Sequence, residues 1–173
     1  MLTFFKYQGT GNDFVLIDNQ SGEWENRLST DQIQRLCDRR FGIGADGLML
    51  LSPHPELDFR MVYYNADGKE SSMCGNGGRC LVAFAQRMGI QRDTYRFEAI
   101  DGLHEAILVG EEVRLKMGTP QGYRTLPESQ YWIDTGSPHL VVWAKEGVKQ
   151  LSIADNGRIL RYDPRFAPGG VNV

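Results

Sequence analysis

No segment of this chain approaches the roughly 20 consecutive apolar residues that a bilayer-spanning helix needs. The opening residues, MLTFFKYQGTGND, hold an apolar stretch too short and too soon interrupted for a signal peptide. A cytoplasmic location without a membrane partner is therefore expected. Cysteine is sparse: Cys37, Cys74 and Cys80 are an odd set in 173 residues and do not suit a disulfide-stapled secreted fold. The gap from Cys74 to Cys80 is longer than the usual two to four residues between zinc ligands, so no metal site is expected. A basic run is missing as well. Lys+Arg number 19 against 22 Asp+Glu with the signs interspersed, and a net charge of -3 offers nothing to nucleic acid or anionic lipid. Low-complexity tracts, visible repeats and cofactor-binding patterns are also absent. G-x-G-x-x-G does occur at residues 42–47, but a helical pattern precedes it and an apolar strand follows. A dinucleotide turn needs the reverse order, so this is a tight turn leading into a sheet. What remains is a chain long enough for a core and suited to small-molecule chemistry.

Residues 2–7 and 14–18 read as strands around the turn signal of residues 8–13. Ser29 and Gln32 form a capping-box pattern, and Ile33, Leu36 and Cys37 share one face of the helix it opens, which assigns Cys37 to the core. Residues 48–52 and 59–64 are strands. From 76 to 88, Leu81, Phe84, Ala85 and Met88 recur at helical spacing and Gly89 supplies a stop. That helix is apolar around much of its circumference and should be buried, with Cys80 packing inside it. Residues 94–100 and 103–109 bracket the hairpin signal Asp101-Gly102, and 113–117 add a strand. The sum is a run of antiparallel strands around one buried helix. Residues 118–130 are turn-rich and polar and read as an interdomain linker. Beyond it, residues 131–135 and 140–143 are strands flanking loop 136–139, Asn156-Gly157 marks a turn, and residues 169–173 look like the start of a strand.

Met73-Cys74-Gly75-Asn76-Gly77-Gly78-Arg79-Cys80 is the most informative string. A thiol directly before a small, amide-rich turn that opens a helix faces free backbone N–H groups and the positive end of the helix. Such a place favours the thiolate of Cys74 and offers donors to a substrate carboxylate at the same spot.

The string NADGKESSMCGNGGR, with GTGNDF at residues 9–14 and GIGADG at 42–47, closely resembles the diaminopimelate epimerases, which are cofactor-independent amino-acid epimerases. The resemblance runs from Phe5 to the last residue; Lys69 stands where the family usually has Ser. It implies an α+β fold of two similar domains, each a curved, mostly antiparallel sheet or barrel around a central buried helix. Residues 1–118 would form the first domain and 119–173 the start of a second, incomplete one. It also implies conversion of LL- to meso-diaminopimelate for lysine and peptidoglycan biosynthesis, with no cofactor, and leaves a homodimer open. Cys74 would be one of two cysteines flanking the α-carbon, one a thiolate base and the other a thiol donor. Gly75 and Asn76 would hold the reacting carboxylate, and Asn12 and Asn65 would bind the substrate's polar ends. Some members have Gln where Gly47 stands, and a glycine has no side chain to reach the substrate from there. Downstream, Gly136-Ser137-Pro138-His139 resembles a Gly-Asn-Pro-His loop, with Ser137 in place of a substrate-binding Asn and His139 near the reacting centre. Asn172 matches another substrate-binding asparagine.

The family's second cysteine has no counterpart in this sequence, since Cys80 shares a helix with Cys74 and Cys37 lies on a packing face. A chain cut off within its second domain, with negligible racemisation, is the expectation. Two other readings stay open: a proline racemase-like isomerase, and a non-catalytic ligand-binding module that kept one half-site.

Overall fold

Two apolar runs, Phe14-Val15-Leu16-Ile17 and Leu48-Met49-Leu50-Leu51, have no polar face to turn to water, so strands carrying them must be covered on both sides. In the computed structural model, which describes residues 2–144 and 147–173, they lie in β2 (Asn12–Asp18) and β3 (Gly47–Ser52). These two strands sit inside a seven-stranded sheet in sequential order, with β1 (Phe5–Gly9), β4 (Phe59–Asn65), β5 (Thr94–Ala99), β6 (Gly102–Val109) and β7 (Glu112–Leu115). Alternate residues feed two cores. Phe14, Leu16, Met49 and Leu51 join one cluster with the helix α2 (Gly75–Arg87). Val15, Ile17, Leu48 and Leu50 join the other with Ile33 and Cys37 of α1 (Thr30–Cys37).

The sheet closes around α2. That helix touches β1 and β7, the two edges, as well as β2, β3 and β6, which is possible only if the sheet curls about it. Leu81, Val82, Phe84 and Ala85 are buried, as the all-round apolar pattern requires. Gly89, at φ +97°, ends the helix, and the N–H groups of Gly89 and Ile90 return to the carbonyls of Gln86 and Ala85 at 3.1 and 3.0 Å. At the other end α2 presses close to the sheet. A Cβ on Gly77 would collide with the buried Met49 Cε and lie 3.5 Å from Phe14 Cζ.

The mixed α+β class expected from the sequence is what the chain adopts, and both halves of the Ser29–Gln32 capping box form. Strand direction departs from the expectation. β2–β3 and β4–β5 pair in parallel while the other four pairings are antiparallel. The reason is that α1 and α2 are crossover connections, each returning the chain to the end of the sheet where it started. The first hairpin is also tighter than expected. Pairing runs from Phe5–Leu16 to Gly9–Asn12, leaving residues 2–4 outside the strand and a two-residue turn of Thr10 and Gly11.

The chain divides into two compact units, Met1–Met117 and Gly118–Val173. Within the second, residues 118–130 are not simply a linker: they contain β8 (Gln121–Leu126), which pairs with β9 (Gln130–Asp134), which in turn pairs with β10 (Pro138–Val142). The polar composition misled because five of the six β8 residues are exposed, so backbone pairing rather than burial holds the strand. Asn156-Gly157 does not turn either. Both lie within α3 (Ile153–Arg161), whose first turn is braced by Ser152 Oγ donating to Asp155 at 2.6 Å; a glycine there costs about 1 kcal/mol, which the surrounding turns absorb. Residues 169–173 form a single parallel bridge, Asn172 to His139, rather than a strand. No helix among the described residues is long and apolar enough to cross a membrane.

Replacing Gly77 by Ala should cost about 1–2 kcal/mol in urea unfolding, the overpacking against Met49 outweighing the gain in helix propensity. A second prediction concerns Cys37 and Cys80, both in the core. Burial pushes each thiol up to about 11 from 9.0. They stay neutral in the folded chain where the unfolded chain ionises them, so this stabilisation is complete below about pH 9 and is lost as the pH rises towards 11. The urea midpoint should start to fall near pH 9. With both cysteines changed to Ala, the fall should begin only where tyrosines held up by burial, Tyr63 and Tyr95, come into play above about pH 10.

Candidate active site

Cys74 is the N-cap of α2, extended at φ -96° and ψ 127°, half-buried, and without a side-chain capping bond. The first intrahelical bond is donated by Gly78 to the Cys74 carbonyl at 2.7 Å. The N–H groups of Gly75, Asn76 and Gly77 precede it and are left over by the helix. Just upstream, Met73 N–H donates to Asp101 Oδ1 at 3.0 Å, and His104 Nε2 lies 3.3 Å from the same oxygen. The β5–β6 hairpin thus holds the segment that leads into the thiol.

The β1–β2 turn lies against this helix mouth. A Cβ on Gly9 would meet Asn76 O at 3.1 Å and Cys80 Sγ at 3.4 Å, so glycine allows the close approach. The turn is bent sharply, with Thr10 at φ 54° and Gly11 at 85°. A β-branched residue there costs about 1–3 kcal/mol. Thr10 Oγ1 spends its hydroxyl on the carbonyl of Gly9 at 2.7 Å and on Asn76 Oδ1 at 3.1 Å. Asn12 then starts β2 beside the thiol, its Oδ1 3.6 Å from Cys74 Sγ and 3.5 Å from Asn76 Nδ2. Cys74, Gly75, Asn76 and Asn12, expected together from the sequence, are brought together. Asn65 ends β4 across from Gly47; its backbone N–H donates to Lys69 O at 3.0 Å and its side chain is exposed.

A charged cluster backs this corner. Asp46 Oδ2 accepts from Asn12 Nδ2 at 2.7 Å and from Asp13 N–H at 3.2 Å, while its Oδ1 pairs with Arg39 at 2.7 Å. Arg39 also grips Asp13, at 2.7 and 3.2 Å, and Lys6 pairs with Asp13 at 2.8 Å. The Arg39 guanidinium, with Lys6, holds the Asp13 carboxyl well below the usual carboxylate range. Arg79 of α2 donates to Asn76 Oδ1. None of Thr10, Arg39, Asp46 or Arg79 was singled out in the sequence. Asp46 was nearest to view, inside the GIGADG turn. Gly47 in the same turn leaves no room for a side chain, since a Cβ would lie 2.5 Å from Tyr64 O and 2.6 Å from Tyr63 Cε2.

Ser137, His139 and Asn172 gather within the second unit. Asn172 Nδ2 donates to Ser137 Oγ at 3.2 Å, and its Oδ1 accepts from Arg161 at 3.3 Å. The His139 Nδ1 lies 2.9 Å from the carbonyl of Ser137 and 3.1 Å from Thr135 Oγ1. A carbonyl accepts only, so the contact with Ser137 O calls for a proton on Nδ1. Arg161 escaped notice because the α3 sequence reads as a turn. Among the described residues no group of three or more His, Cys, Asp or Glu is placed to hold a metal ion.

Comparison with known proteins joins these observations. Among solved structures the chain resembles a PhzF-family phenazine biosynthesis protein from Bacillus anthracis (TM-score 0.65, 16% identity, 82% of this chain and 55% of that one). It also resembles a probable proline racemase from Agrobacterium radiobacter with bound carbonate (TM-score 0.63, 14% identity, 93% and 59%). Identities this low show a shared fold alone. Sequence relatives are nearer. The chain is 44% identical over 173 residues to the diaminopimelate epimerase of Flavobacterium psychrophilum, covering 99% of this chain and 66% of that protein. It is 44% identical over 172 residues to that of Chlorobaculum tepidum, covering 95% and 66%. It therefore spans just under two thirds of the length of these relatives. With the diaminopimelate epimerase family model matching residues 4–122, the stretch that builds the curled sheet, its enclosed helix and the Cys74 corner, the chain belongs to the diaminopimelate epimerase family.

Proposed function

We propose that this chain carries half of a cofactor-independent epimerase site for the α-carbon of diaminopimelate, interconverting its LL and meso forms, with Cys74 exchanging the α-proton. The observation that carries the reading is the seat of Cys74, beside the leftover N–H groups of Gly75 and Asn76 and within reach of Asn12. Removing an α-proton puts negative charge onto the adjacent carboxylate. Donors already aimed at that spot stabilise the charge as it develops, and the loss of one such donor typically costs about 10²–10³ in rate. Asn12 and Asn65 bind the polar ends of the substrate. We also propose Ser137, His139 and Asn172, within the second unit, as further polar groups for the substrate. Residues 119–173 are then part of a second domain built like the first.

By the two-cysteine reading, inversion also needs a second cysteine on the opposite face of the α-carbon. Cys37 and Cys80 cannot serve, because they are buried in the two cores on opposite sides of the sheet. The chain by itself therefore turns over negligibly, although it keeps a substrate-sensing thiol.

Iodoacetamide labelling of Cys74, followed by peptide mass, tests this without requiring turnover. Diaminopimelate should slow the labelling and proline should not. Protection by proline alone would turn the reading to a proline-type racemase, and protection by neither would remove it. In heavy water the chain should leave the stereochemistry of diaminopimelate unchanged; full inversion with α-deuterium uptake would show that no second thiol is required.

A further inference from the structure

The side-chain amide of Asn12 has one end that donates and one that accepts, and its neighbours decide which end faces the sulfur. The Asp46 carboxylate, paired with Arg39, offers acceptors and lies 2.7 Å from Nδ2 of Asn12. Arg39 holds that carboxylate in place through the other oxygen. On the far side, the carbonyl of Asn76 is claimed by Arg79 and Thr10, which turns the Asn76 amino group towards Asn12 Oδ1 as well. Both amides are thus oriented by charged groups at their outer ends, and Oδ1 of Asn12 is left facing Cys74 Sγ at 3.6 Å.

We infer that Asp46, braced by Arg39, is a positioning residue for Cys74: it sets the polarity of the Asn12 amide so that a carbonyl oxygen, and not an amino group, meets the sulfur. This rests on the reading of Cys74 as the reacting group. A carbonyl oxygen accepts a hydrogen bond from S–H and repels S⁻, so the amide favours the thiol, while the leftover N–H groups at the mouth of α2 favour the thiolate. The two influences oppose each other at one atom. A group that takes a proton in one direction of a reversible epimerisation and returns it in the other needs both forms within reach, and opposing influences of this kind suit that task.

Among the described residues, the charged and titratable groups around this corner are Lys6 from β1, Asp13 from β2, Arg39 and Asp46 from the turn before β3, Arg79 from α2, and Asp101 with His104 from the β5–β6 hairpin. Tyr63 from β4 stays neutral up to about 12. A double-mutant cycle separates orientation by Asp46 from its plain charge. The readout is the pH midpoint of iodoacetamide labelling at Cys74, for the original chain, Asp46→Ala, Asn12→Ala, the double variant and Asp46→Glu. The midpoint should drop by about 0.5–1 pH unit in each Ala variant, the double variant should match Asn12→Ala, and Asp46→Glu should keep the original midpoint. An equal drop from Asp46→Ala in the Asn12→Ala background would show a direct charge effect and overturn the inference, as would unchanged midpoints in both single variants. Should Asp46→Ala fail to fold by circular dichroism, Asp46→Asn takes its place with the same expected outcomes, since an amide there both donates and accepts and no longer fixes which end of Asn12 faces the sulfur. Labelling needs no substrate, so the result stands apart from whether diaminopimelate protects Cys74.

Discussion

A helix that a curled sheet wraps buries most of its length and leaves its backbone ends to find partners elsewhere, and α2 treats its two ends differently. At Gly89 the chain folds back and satisfies the last carbonyls. At Cys74 nothing in the helix takes the first N–H groups, and the residue that stands there carries a thiol rather than a capping oxygen. Ser or Asp at that position would satisfy the donors and steady the helix by about 1 kcal/mol. The open end is a local cost that leaves donors free for a ligand, and much of the surrounding structure follows from keeping it open and close to the sheet.

Closeness requires small residues where helix and sheet meet. Gly77 lets the first turn rest on Met49 and Phe14, and Gly9 lets the β1–β2 turn lie over Asn76 and Cys80. With the backbones this near, short side chains suffice to connect them. The strained Thr10 and the amides of Asn12 and Asn76 bridge strand and helix, and charges on Arg39, Asp46 and Arg79 orient those amides from outside. The sulfur is consequently placed by the ends of three segments far apart in the chain, each anchored in the packed sheet.

Much of this was legible beforehand where local rules act alone. The Ser29–Gln32 cap, the Gly89 stop, the buried face of Cys37 and the all-round apolar α2 depend on neighbours within a few residues, and each appears as the spacing implies. The errors have a common physical source. β8 is polar because it is exposed, and pairing with β9 holds it; Asn156-Gly157 is drawn into α3 although its local preference is a turn; the parallel pairings arise from crossovers whose direction no dipeptide encodes. In all three, partners distant in sequence outweigh preferences of a few tenths to about 1 kcal/mol per residue.

By itself the sequence determined the core face of α1, where α1 begins, where α2 begins and stops, and that a thiol stands before an amide-rich helix start, because these depend on side-chain character and on hydrogen bonds only a few residues long. Tertiary structure alone decided the contacts themselves: that Asn12 Oδ1 faces Cys74 Sγ, that Asp46 and Arg39 back Asn12, and that Asn172 joins Ser137 to Arg161. Those meetings depend on strand pairing and on the sheet's curl around α2, and residues 34 or 62 positions apart have no local interaction that could announce them.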